Sequence, residues 1–103
     1  RTIVDDAASY EEVSASAGIG AAMITKGNPL HIKYINKAIP GMLANVSPDG
    51  RVLNVSGGTA VTKDADGYRG ISRDWIQGWG QGLALAFFAG VLNYDNVRSD
   101  GAL

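Results

Sequence analysis

The sequence has no cysteine, a single histidine, three prolines and no excess of charge of either sign. Each shortage removes a class of answers. Without cysteine there is no disulfide framework, no iron–sulfur or thiolate zinc site and no cysteine nucleophile. With only His31, a histidine-pair metal site cannot be built. Nine Lys plus Arg against ten Asp plus Glu leave a net charge of -1, which lacks the one-signed electrostatic footprint of a dedicated nucleic-acid binder.

What is present is 103 residues, 46% of them apolar, with eight aromatics and 14 glycines. That suffices for one domain, residues 1–103, and argues against disorder along most of the length. A domain of this size hides only a little over ~60% of the surface of its unfolded chain. It must therefore be compact or lean on something else. A start at Arg1 fits a processed product that is exported or virion-associated, or an excerpt of a longer chain.

Residues 1–8 read as an N-terminal arm. Ser9-Tyr10-Glu11-Glu12 has the Ser-x-x-Glu spacing of a capping box, and Lys26-Gly27-Asn28-Pro29 places a cation, a glycine stop and a proline in order. The spacing predicts a helix over 9–26. Gly18 and Gly20 inside it each cost about 1 kcal/mol relative to Ala, so they serve close packing or mark a break.

From Leu30 the pattern changes. Leu30, Ile32 and Tyr34 alternate with His31, Lys33 and Ile35, the period of a half-buried strand. Pro40-Gly41 reads as punctuation. Met42 to Ser47 and Arg51 to Ser56 flank Pro48-Asp49-Gly50, a type I turn composition, and predict a hairpin; Thr59 to Thr62 would add a third strand. Residues 30–63 are thus read as a β region. Within it Asn45-Val46-Ser47 recurs as Asn54-Val55-Ser56, too few copies for a solenoid.

Trp75 to Tyr94 contains no charged residue, and residues 74–94 are predicted to form an apolar helix, followed by a tail over 95–103. At helical spacing Trp75, Trp79, Leu83, Phe87 and Val91 form one row, and Gly78, Gly82, Ala86 and Gly90 a second, nearly bare one. A small-xxx-small ridge of this length lets another helix approach closely. Its partner would be the first helix or a second copy of the chain. Twenty helical residues also span about 30 Å, so a membrane span is a second expectation, against which Gln77, Gln81, Asn93 and the glycines count.

Chemistry is sparse. His31 reads as a surface imidazole beside Lys26, Lys33 and Lys37. Asp64-Ala65-Asp66-Gly67 resembles the start of a calcium loop, but Arg73 stands where the closing bidentate Glu is needed, so a polar turn is preferred. Gly18-Ile19-Gly20 has Met23 in place of a third glycine and no preceding strand. No Gly-x-Ser-x-Gly is present.

The reading is an α+β fold: an N-terminal capped helix, a small central antiparallel hairpin or meander, and a C-terminal glycine-ridged apolar helix. No catalytic residues, metal or cofactor are assigned. The expected function is a non-enzymatic structural subunit that assembles with copies of itself or with other subunits of a larger assembly, such as a virion or filament. Its contact would be Trp75, Gly78, Trp79, Gly82, Leu83, Ala86, Phe87, Gly90 and Val91. The alternatives are a single-pass accessory subunit of a membrane complex and, behind that, a small enzyme using His31, Asp64 and Asp66.

Overall fold

A computed structural model describes residues 5–58 and 60–99, for 95–99 the backbone alone. Among the described residues four α-helices follow one another: α1 (Val13–Lys26), α2 (Ile32–Ala44), the short α3 (Ala65–Arg69) and α4 (Gly78–Ser99). A 3-10 turn, Pro29–His31, leads into α2. Among the described residues there is no strand; one isolated antiparallel bridge pairs Val46 with Val52. The α+β expectation is therefore wrong, and the protein is helical.

The error is localised. The alternation over Leu30–Tyr34 competes with a second pattern, Ile35, Ala38, Ile39 and Met42, spaced i, i+3, i+4, i+7. That pattern prevails: Met42 is buried and the other three pack against the core, as a helix with one apolar stripe requires. Pro40 lies inside α2, where it removes one backbone donor without ending the helix. The predicted hairpin shrinks to a turn in which Gly50 takes φ 85 and donates its N–H to Ser47 O at 2.9 Å. The strand predicted at Thr59–Thr62 has no counterpart at 60–62, and Thr59 lies outside the described residues.

Helix α1 starts four residues later than the capping box suggests. Its N-cap is Glu12, whose carboxylate accepts from the N–H groups of Ser14 and Ala15. The Ser9 hydroxyl instead donates to Asp6 O at 2.8 Å. At the far end Gly27 takes φ 70, the left-handed closing geometry that a side chain disfavours. Asn28 then caps the 3-10 turn.

Helices α1 and α4 form the core pair, and they run parallel. Leu83 meets the position of a Cβ on Gly18, Phe87 that of Gly20, and Ile24 that of Gly90, so numbers rise together along both helices. Phe87, Ala17 and Ala84 are buried between them, with Val13, Met42, Val52 and Val55 closing the core. The bare approach between the two helices is thus made by Gly18 and Gly20 of α1 and by Gly90 of α4, while Gly80 of α4 is pressed on Val55. Gly78 and Gly82 of the expected ridge have nothing within 4 Å.

The Asn-Val-Ser repeat also acquires a physical role. Asn54 Nδ2 donates to Asn45 Oδ1 at 2.7 Å, and Leu53 N–H donates to Asn45 O at 2.8 Å. Asn54 sits at φ 58, a conformation Asn tolerates better than most residues. Gln81 ties the same loop to α4: its Oε1 accepts from Val52 N–H at 2.5 Å and its Nε2 donates to Gly50 O at 3.0 Å.

Candidate functional site

Because α1 and α4 are parallel, their N-terminal ends share one end of the molecule. Segment 54–58 passes between them. Val13 N–H donates to Asn54 O at 3.1 Å, and Ser56 N–H donates to Glu12 Oε1 at 3.1 Å. On the other side, Gly57 N–H donates to Ser72 O at 2.7 Å. Val55 lies between, against Gly80, where a Cβ would come within 2.5 Å of its side chain. Four sequence segments, around residues 10–14, 54–58, 72–77 and 78–81, are thus pinned to one another at this end.

Glu12 is the central fastener. It is 6% exposed and accepts from the Ser14 N–H and hydroxyl, the Ala15 N–H and the Ser56 N–H. Burial pushes its carboxyl up, but the hydrogen bonds from the Ser14 hydroxyl and the three backbone N–H groups together hold it below its ordinary value. An ionised, fully bonded carboxylate here is a strut rather than a proton donor.

Around this rigid centre the surface carries aromatic rings and a cation. Trp75 is 74% exposed and Trp79 50% exposed. The guanidinium of Arg73 lies over the ring of Tyr10, 4.6 Å from its centroid. Exposed indoles on a fixed backbone offer flat faces that can stack on the apolar face of a sugar ring, and a guanidinium beside them offers planar donors to an anionic substituent. Gln77, half-buried with its Nε2 close to Gly57, adds an amide.

The residues singled out from sequence are scattered. Asp64 caps α3 by accepting from Gly67 N–H at 3.0 Å, and Asp66 pairs with Arg69. Arg69 also reaches Asp6 at 2.6 Å, and that bond pushes its basicity up. His31 sits on the 3-10 turn beyond the other end of α1, with its Nδ1 buried and unbonded. These three residues do not share a cleft, and no group of three His, Asp or Glu able to hold a metal occurs among the described residues. Of the expected assembly contact, Phe87 is buried within the chain, Val91 and Gly90 pack inward, and Leu83 covers Gly18. Trp75, Trp79, Gly78, Gly82 and Ala86 face outward. No helix among the described residues is long and apolar enough to cross a membrane.

Sequence reasoning missed Tyr10 and Arg73 as neighbours, and Gln77 as a neighbour of Gly57. Arg73 reads from sequence as a misfit in a calcium loop and as part of the polar Ser72-Arg73-Asp74 cap before the uncharged stretch, because a contact across 63 residues leaves no local spacing to read.

Comparison with known proteins identifies the scaffold. The family model for Glycosyl Hydrolase Family 88 matches residues 1–94. Over 91 residues the chain is 55% identical to the unsaturated rhamnogalacturonyl hydrolase YesR of Bacillus subtilis, covering 88% of this chain and 26% of that protein. Two crystal structures described as possible members of the GH105 family superimpose on it. One is from Salmonella enterica serovar Paratyphi A (TM-score 0.80, 32% identity, 87% of this chain, 25% of that one). The other is from Klebsiella pneumoniae (TM-score 0.79, 32% identity, 88% and 25%). The chain spans about a quarter of the length of these relatives. These matches overturn the non-enzymatic virion or filament subunit, and with it the self-assembling and membrane partners expected for the apolar helix. The chain belongs to glycosyl hydrolase family 88.

Proposed function

We propose that this chain is part of a glycoside hydrolase that releases an unsaturated uronyl residue from rhamnogalacturonan-derived oligosaccharides. The 55% identity to YesR over 91 residues carries this reading. The end bearing Tyr10, Arg73, Trp75 and Trp79 is its contribution to the sugar-binding cleft. Hydrolysis needs a proton donor for the leaving oxygen. Among the described acids Glu12 is committed to four hydrogen bonds, Asp64 to a cap, Asp6 and Asp66 to Arg69 and Asp49 to Arg51, whereas Asp74 is exposed. We assign this chain binding wall and rigidity within a polypeptide of the relatives' length, and the proton donor to none of these bonded acids. The outward face of α4, with Leu85 70% and Leu92 64% exposed beside Gly78 and Gly82, suits a close contact with further helices of that same polypeptide.

The test is to incubate the complete natural polypeptide carrying this sequence with an unsaturated galacturonyl-rhamnose disaccharide and follow the two monosaccharides chromatographically. Release of both supports the reading. An intact disaccharide after prolonged incubation with folded protein contradicts it.

A further inference from the structure

We infer that Arg73, held over the ring of Tyr10, is the anchor for the carboxylate of the uronyl residue and so sets the preference for an acidic sugar. This assignment rests on the sugar-hydrolase reading above and adds to it the group that recognises charge.

Three observations converge on Arg73. Three arginines have described side chains, and two are neutralised: Arg51 by Asp49 at 3.0 Å, and Arg69 by Asp6 and Asp66. Arg73 forms no ion pair among the described residues and is exposed. Its guanidinium carbon stands over the ring of Tyr10, 4.6 Å from the centroid, and one aromatic ring cannot occupy five N–H donors, which leaves donors for a carboxylate to take through two parallel hydrogen bonds. The pair is also fixed in place. Ser72, the preceding residue, accepts from Gly57 N–H, while Tyr10 is two residues from the buried cap Glu12. A long side chain held before the ligand arrives loses less freedom on binding.

Trp75 is two residues on from Arg73, at most about 7 Å along the chain, so a ring stacked on its indole could present a carboxylate to Arg73. Asp74 lies between them in sequence, its carboxylate accepting from the Ser72 hydroxyl at 3.4 Å. It is the one acid adjacent to the anchor in sequence.

The experiment compares the complete natural polypeptide with its Arg73→Met and Arg73→Lys variants on the unsaturated galacturonyl disaccharide and on the methyl ester of the same disaccharide. The expected result is that Arg73→Met lowers kcat/KM for the acid by ~10- to 100-fold, mostly through KM, as loss of a charge-assisted pair predicts. The ester, which keeps an acceptor oxygen but no charge, loses at least about fivefold less than the acid, and Arg73→Lys recovers part of the loss on the acid. Equal losses on both substrates, or none on the acid, overturn the assignment while leaving the hydrolase reading intact. A wild-type protein that cleaves neither substrate overturns both. The wild type alone gives an independent check should Arg73→Met not fold: KM for the acid rises with salt and KM for the ester does not. A salt-insensitive KM for the acid counts against the anchor.

Discussion

A Cβ built on Gly20 would stand 2.6 Å from the ring of Phe87, a side chain with no exposure at all. The distance explains why α1 tolerates a glycine in its middle. Alanine there would gain about 1 kcal/mol of helix propensity, but overpacking a close-packed core costs about 1 to 3 kcal/mol, and a buried ring cannot swing aside as a flexible chain end does. Gly20→Ala should therefore lower stability, as should Gly80→Ala, whose Cβ would meet Val55 at 2.5 Å. A urea titration of each variant checks this. An unchanged or raised midpoint would show that the α1–α4 contact, for Gly20→Ala, or the contact of α4 with Val55, for Gly80→Ala, is looser than described.

Glu12 makes stability depend on pH in a stated direction. Its carboxyl is held below 4.5 in the folded protein, so the unfolded chain takes up the proton first as pH falls. The contribution is fully present above the unfolded value and is lost as pH drops through the folded one. Glu12→Gln should cost about 1 to 3 kcal/mol at neutral pH, since it leaves buried N–H donors facing an amide. The gap to wild type should close on acidification below about pH 4. Thermal melts across that range measure it; a gap that is constant with pH would mean the carboxylate's charge is irrelevant.

Trp75 contributes little to the fold of this chain, being 74% exposed. If it stacks on the sugar, Trp75→Ala should raise KM roughly tenfold, about 1.4 kcal/mol, with kcat little changed because the contact is the same in ground and transition states. Steady-state kinetics separate the two parameters. A drop confined to kcat would place the indole at the reacting bond instead.

His31, Asp64 and Asp66 have structural positions away from the convergent end. Single alanine substitutions at each should leave kcat within about twofold of wild type, and Asp64→Ala should cost α3 about 1 kcal/mol as a lost N-cap. A hundredfold loss of kcat in any one would return that residue to the chemistry.

Much of the punctuation was readable from residues alone, and the pattern between punctuation marks was not. Lys26-Gly27-Asn28-Pro29 closes α1 because only a residue without a Cβ takes φ 70 at no strain, and Gly50 turns for the same reason. The segment from Leu30 to Met42 supports two periods at once. Packing of Ile35, Ile39 and Met42 against the α1–α4 pair decides between them, and that information is tertiary. The glycine row on α4 is legible in the sequence, but of its glycines Gly90 alone meets α1, at Ile24. Gly78, Gly82 and Gly90 share a helical spacing, yet Gly80 is the one pressed on Val55, because the face of α4 is set by where Phe87 and Ala84 go. The site was the least legible part. Tyr10 and Arg73 meet through folding alone, and the family membership resides in the whole pattern rather than in any short motif.

Whether this chain serves a hydrolase for unsaturated uronyl sugars is read from the ratio of kcat/KM for the unsaturated galacturonyl-rhamnose disaccharide to that for its saturated counterpart, measured on the complete natural polypeptide. Efficient release of the unsaturated sugar is expected, with a preference of at least about a hundredfold, some 2.7 kcal/mol. Equal rates on the two, or turnover of neither, would contradict it.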